Sequence, residues 1–195
     1  LRARTTTTSV FASEVLALNA QTHLTLSGRY NRTQVKTSDD ITPGGGPGSL
    51  DGNHRFSRLN PAVGLTFAAT PAITVYGGFN QGSRAPSAIE LGCADPENPC
   101  KLPNAMAGDP PLKQVVTTTV EAGVRGGTGG RDGLRWNLGL FRADNRDDIL
   151  FVADNAAGFG YFKNFGKTRR QGLEAGISLP LGGATVVAQY TYMDA

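Results

Sequence analysis

The segment Thr22-His23-Leu24-Thr25-Leu26-Ser27-Gly28-Arg29-Tyr30-Asn31 alternates apolar and polar side chains. Leu24, Leu26, Gly28 and Tyr30 fall on one side; His23, Thr25, Ser27, Arg29 and Asn31 fall on the other. Successive side chains of a β-strand point to opposite faces, so this period of two predicts a strand with one apolar and one wet face. The phase holds for about ten residues, whereas strands of soluble sheets average about five or six. A tilted strand needs about 9 to 11 residues to cross a hydrocarbon layer.

Working outward, the same pattern recurs. Leu59, Pro61, Val63, Leu65 and Phe67 oppose Arg58, Asn60, Ala62, Gly64 and Thr66, and Ile73, Val75, Gly77 and Phe79 oppose Thr74, Tyr76, Gly78 and Asn80. Similar phases run through Val116–Arg125, Leu134–Leu140, Leu173–Leu179 and Thr185–Tyr192. Thr8–Leu18 is weaker, because Glu14 falls on the face of Val10, Ala12, Leu16 and Leu18. The expectation is an all-β fold, an antiparallel meander of about eight long strands.

The connections add a direction. Tight turns near Asn19–Thr22, Ala69–Ala72, Gly126–Asp132 and Pro180–Gly183 alternate with long stretches near Ser38–Asn53, Arg84–Lys113 and Asp144–Gly160. One plain end and one elaborated end is the habit of outer-membrane barrels, with short periplasmic turns and long extracellular loops. Trp136, Tyr190, Tyr192 and Phe67 sit on the apolar faces, where an interfacial aromatic girdle would place them.

Composition agrees. Of 195 residues, 39% are hydrophobic and 18% charged, and 26 are glycine, which favours β-structure with many turns over helix packing. A net charge of +3, from 19 basic against 16 acidic residues spread along the chain, gives no electrostatic ground for nucleic-acid binding. No run approaches the roughly eighteen apolar residues of a transmembrane helix, which leaves β-barrels untouched. The chain opens at Leu1 without an initiator Met or a signal-peptide pattern, an end that processing or excision would set.

Cys93 and Cys100 flank six residues that include Pro96 and Pro99, a spacing that can close a small disulfide loop and points to an oxidising compartment. A metal site would need ligands beyond two thiols. Arg84, Ser87 and Glu90 cluster at a strand end beside the longest connection and are candidates for binding a charged ligand; alternatively Pro86 stops the strand and Arg84 and Glu90 organise the turn. Asp144, Asn145, Asp147 and Asp148 have the oxygen ligands of a Ca²⁺ site, but Arg142 and Arg146 interrupt them, as in a solvated strand extension. Gly44-Gly45-Gly46-Pro47-Gly48 lacks the Lys-Ser or Lys-Thr of a phosphate loop. His23 and His54 have no nucleophile near them in sequence, so no catalytic residue is nominated. Lys163, Lys167, Arg169 and Arg170 would lie high on a strand, placed to meet anionic lipopolysaccharide, an anionic ligand or plain solvent.

Gly82-Ser83-Arg84-Ala85-Pro86-Ser87-Ala88-Ile89-Glu90-Leu91 resembles the Gly-x-Arg-Ala-Pro-Ser-x-x-Glu-Leu segment of TonB-dependent outer-membrane receptors. Pro61-Ala62-Val63-Gly64 is similar to the Pro-x-x-Gly strand before it, and Asp109-Pro110-Pro111-Leu112-Lys113 to the family's Asn-Pro-x-Leu approach to the next strand. Glu121-Ala122-Gly123 resembles its Glu-x-Gly strand; Asn164-Phe165-Gly166 and Gly172-Leu173-Glu174 resemble its Asn-x-Gly and Gly-x-Glu pair. Gln114 departs from the usual Pro-Glu. Five motifs in order cover most of the chain from His54 onward.

The resemblance implies that residues 1–195 are one partial barrel domain from a larger barrel of about 22 strands. It has no plug, no TonB box and no terminal strand ending in Phe or Trp. The implied function is uptake of a scarce nutrient, a ferric siderophore by family frequency, with no enzymatic activity and no cofactor. The implied partners are the receptor's own plug, the TonB complex acting through it, and outer-membrane lipid with lipopolysaccharide. The rival class is a self-contained small barrel with a structural or adhesion role. It requires the strands around Phe11 and Val187 to pair.

Overall fold

The computed structural model describes residues 2–40, 43–44, 49–92, 100–101, 112–128, 133–153 and 159–195. Eight long strands, β1 (Arg2–Ala17), β2 (Thr22–Ser38), β3 (Gly52–Thr70), β4 (Ile73–Arg84), β6 (Val115–Gly127), β7 (Arg135–Ala153), β8 (Phe159–Leu181) and β9 (Ala184–Asp194), pair antiparallel in that order. A five-residue helix α1 (Ala88–Gly92) follows β4, and a two-residue β5 (Cys100–Lys101) pairs with the start of β8. The expected meander is therefore the observed one.

Register shows why alternation was so regular. One row of partnered residues, Leu16, Leu24, Leu65, Gly77, Ala122, Leu140, Leu173 and Tyr192, crosses all eight long strands on a single face. The parallel row Ala17, His23, Thr66, Tyr76, Gly123, Gly139, Glu174 and Thr191 lies on the other. A slip of one residue anywhere would have mixed these faces.

The polar face is concave. Val35 of β2, Val115 of β6 and Ile149 of β7 meet in one buried cluster with Leu91 and Leu112, flanked by Phe56, Ala88 and Phe162. Strands that are not neighbours can share such a cluster only where the sheet curls toward it, and α1 touches both β2 and β8. On the convex face Leu59, Leu140 and Tyr190 are each 61% exposed. The accessible surface is 12484 Å², against roughly 8,900 Å² for a compact soluble protein of this mass. The apolar side of the sheet is built to face a non-aqueous medium.

Aromatic side chains on the concave face lie across glycines of the next strands. Tyr76 covers Gly123 and extends to Gly139, with the Arg125 guanidinium 5.9 Å from its ring centroid. Phe141 lies against Gly172 in the same manner. A strand glycine has no side chain to pack, and a neighbouring ring restores that contact.

Two expectations need correcting. Asp144–Gly160 is not a loop: β7 runs to Ala153 and β8 begins at Phe159, so a long hairpin stands above the apolar band. β1 begins near Arg2 rather than Thr8. The rival closed cylinder is not formed either. Among the described residues β1 pairs only with β2 and β9 only with β8, so the sheet stays open.

Candidate functional site

Arg84 is the last residue of β4, and the chain must turn inward there because Pro86 cannot donate to a ladder. Ser87 then starts α1 with a capping box: Ser87 N–H donates to Glu90 Oε2 at 2.7 Å, and Glu90 N–H donates to Ser87 Oγ at 3.2 Å. Arg84 grips the same carboxylate with both terminal nitrogens, at 2.7 and 3.0 Å. The product is a lid of one helical turn that drives Leu91 into the cluster under the rim, where it is 1% exposed. The three candidate ligand-binding residues are thus brought together, and their hydrogen-bonding groups engage one another.

Burial pushes the Glu90 carboxyl up, but the Arg84 hydrogen bonds and the Ser87 N–H and hydroxyl outweigh it, holding it below the ordinary 4.5. A carboxylate with a depressed folded-state pKa contributes stability above its unfolded pKa and loses it as pH falls through the folded value. Hydrogen exchange of residues 85–92, corrected for intrinsic rates, should therefore rise between about pH 6 and about pH 3. Glu90→Gln should show the elevated exchange at both values.

A second clamp joins the far side of the same rim. The Asn164 side chain acts as a stand-in peptide group: Lys113 N–H donates to its Oδ1 at 2.8 Å, and its Nδ2 donates to Lys113 O at 3.1 Å and Asp147 O at 2.7 Å. Asp147 has a positive φ of 53°, which turns its carbonyl out of the ladder. Asn164→Ala should cost about 2 kcal/mol, since its three hydrogen bonds to the backbone are lost. Denaturant unfolding of the receptor in detergent would measure it.

The acidic group near the top of β7 is divided among separate partners. Asp144 holds Arg142 and Arg169 through their Nε atoms at 2.9 and 2.7 Å. Asp148 accepts from Thr168 Oγ1 at 2.6 Å and Asn145 Nδ2 at 3.4 Å, and Asn145 in turn accepts from Thr117 at 2.7 Å. Among the described residues no three His, Cys, Asp or Glu converge. His23 and His54 share the concave face but lie at opposite ends of β2's ladder with β3. Of the basic run, Lys167 and Arg169 project from the convex face and Arg170 from the concave one. Cys93 and the side chain of Cys100 lie outside the described residues, so the disulfide expectation stays open.

Below the rim, the concave wall carries Arg29, Asn31, Arg58, Asn60, Glu121, Arg135 and Glu174, all placed there by register. Two hollows of about 460 and 570 Å³ share Arg29, Asn31 and Ser83. Asn60 donates to Ser83 Oγ at 3.1 Å, and Arg29 lies 5.4 Å from the Phe11 ring centroid. Asn60 Oδ1 and Arg58 Nε are shielded from solvent yet have no partner among the described residues. Unpaired buried polar atoms cost free energy and mark where further matter completes the wall. Sequence reasoning missed α1 and the Asn164 clamp. The Ser-x-x-Glu spacing was a readable signal for the first; for the second there was none without the fold.

The TonB dependent receptor-like β-barrel family matches residues 2–195. The chain belongs to that family. As a TonB-dependent receptor barrel it lies in the cell outer membrane, in a family of transport receptors rather than enzymes. Its fold is similar to that of the FrpB iron transporter from Neisseria meningitidis, with a TM-score of 0.68 at 19% identity over 98% of this chain and 26% of that one. It is similar to the Serratia marcescens hemophore receptor HasR, in complex with its hemophore HasA and heme, with a TM-score of 0.76 at 15% identity over 98% and 34%. The alcaligin outer membrane receptor FauA from Bordetella pertussis gives 0.69 at 16% identity over 98% and 30%. The TonB-dependent receptor chain described here spans about a quarter to a third of the length of these neighbours.

Proposed function

We propose that residues 1–195 form one partial barrel domain of a receptor that takes up a scarce nutrient, a ferric siderophore, by TonB-dependent active transport. The observation that carries this reading is the polar concave wall: its orphaned Arg58 Nε and Asn60 Oδ1 call for an occupant, which we assign to the receptor's plug. The TonB complex would act through that plug. Neighbours named for iron and for alcaligin agree with this cargo, beside others named for heme and for copper. Arg84, Ser87 and Glu90 would serve the extracellular vestibule by fixing α1 and its exposed Ile89 against arriving ligand. Cys93 and Cys100 would close the adjoining loop as a disulfide, which a non-reduced digest analysed by mass spectrometry would detect.

The test is uptake of iron-55-labelled siderophores by cells whose only such receptor is the full-length protein carrying this chain. Accumulation should require both the receptor and an intact TonB complex. Uptake that persists without TonB, or accumulation of haem or copper in place of every ferric siderophore offered, would overturn it.

A further inference from the structure

The concave face changes sign along its height. Arg29 and Arg58 stand in its upper part, Glu121 and Glu174 midway, and Arg125 and Arg135 lowest, beside the short turns that face the periplasm in an outer-membrane barrel. Arg125 lies two residues before the end of β6, and Arg135 is the first residue of β7. Register sets Arg125 opposite Asn137 and Arg135 opposite Gly127, so the two arginines share one face at diagonal positions of adjacent strands. Diagonal neighbours lie about 7 to 8 Å apart, close enough for two long side chains to converge on one small group. Both are exposed, and among the described residues neither has an ion pair. Glu121 and Glu174 stand four residues above Arg125 and Ser178 on their own strands, about 13 Å away along the ladder.

The two arginines open onto a hollow of about 570 Å³. Gly127 and Gly176 present no side chain to it, and a Cβ at Gly176 would stand 2.5 Å from Asn137 Oδ1, so the Asn137 amide lies over that glycine. Ser178, the direct partner of Arg135, and Gln189, the partner of Gly176, complete a polar wall. Arg125 is oriented before any ligand arrives. Its guanidinium lies 5.9 Å from the centroid of the Tyr76 ring, and Tyr76 is itself seated against Gly123 and Gly139. A guanidinium laid on an aromatic ring keeps its N–H edge free for an acceptor.

We propose that Arg125 and Arg135 form an exit-side subsite that takes a carboxylate of the cargo as it leaves toward the periplasm. Two guanidiniums match the two oxygens of a carboxylate, and Asn137, Ser178 and Gln189 supply neutral donors for its remaining lone pairs. Exposure keeps the hold weak, as release requires. The proposal rests on the uptake reading above and adds a cargo class to it, a ferric chelate that carries free carboxylates.

The test uses the full-length receptor with 4-trifluoromethylphenylalanine in place of Val187, which lines the same hollow opposite Ser178. Citrate, a tricarboxylate probe, should shift the fluorine resonance, and neutral triethyl citrate should not. Arg125→Gln with Arg135→Gln should weaken the citrate response about tenfold. Arg170→Gln, which removes a concave-face charge eight residues higher on β8, should leave it unchanged. Heat-modifiable migration identifies any variant that fails to fold. This readout involves no transport step, so its outcome is separate from that of the uptake assay. In cells, iron-55 chelates with free carboxylates should enter about tenfold more slowly through the double variant, with surface binding to TonB-deficient cells unchanged, while neutral trihydroxamate chelates keep the wild-type rate. A resonance indifferent to citrate, as when a carboxylate of the receptor itself holds the arginines, would overturn the proposal. So would a citrate response that survives in the folded double variant, or equal slowing of neutral chelates.

Discussion

Leu65→Arg should cost the receptor about 2 to 4 kcal/mol, the range for a cation near the middle of the lipid face of an outer-membrane barrel. Leu65 stands in the convex row between Leu24 and Gly77, 45% exposed, about six residues above the short turn that joins β3 to β4. No carboxylate of that row can pair with the new charge, and the rim lies too far above for the side chain to reach it. Thr25→Arg differs in one respect that matters, because Thr25 lies on the concave face beside Gly64, where a hollow of about 490 Å³ accepts a longer side chain. The fraction of receptor showing heat-modifiable migration should drop for the first variant and hold for the second. Loss in the second and not in the first would mean that the two faces have been exchanged, and equal loss in both that they do not differ in environment.

Gly123→Ala should rival that loss although it adds only one methyl group. A Cβ at Gly123 would stand 2.5 Å from the Tyr76 ring and 2.6 Å from the Leu138 carbonyl oxygen. Tyr76 can swing aside, at the expense of its packing on Gly123 and Gly139 and of its contact with Arg125. The carbonyl belongs to the β6–β7 ladder and cannot. Overpacking of this kind costs about 1 to 3 kcal/mol and more where backbone must shift. Gly139→Ala meets only the Tyr76 hydroxyl at 3.0 Å, so its penalty should be clearly smaller. Denaturant midpoints of the two variants provide the comparison.

The sequence was legible wherever lipid faces water across one strand. There, Leu24, Leu26, Tyr30 and their partners must alternate with Thr25, Ser27 and Arg29, and the phases read from sequence match the register on every long ladder. Above the band both faces are wet and the period of two disappears. Asp144-Asn145-Arg146-Asp147-Asp148 looked like a loop for that reason, although it is strand stabilised by side-chain bridges to β6 and β8. At the rim, the roles of Arg84 and Glu90 in organising the turn could be seen in the residues. The partners of Asn164 could not, because Lys113 lies 51 positions away and meets it only once β6, β7 and β8 are assembled.

That separation bears on how the wall is built. Among the described residues seven ladders join the eight long strands, and six of them connect strands that follow one another along the chain across 2 to 13 residues. The β4–β6 ladder is the exception, closing thirty residues between Arg84 and Val115. Closing thirty residues rather than four costs about 1.8 kcal/mol more in chain entropy. The capped helix and the Asn164 clamp lie at the two ends of this one long excursion. The helix closes on local contacts and so shortens the free chain before β4 and β6 must find each other, whereas the clamp needs β6, β7 and β8 in place and latches the far end afterwards.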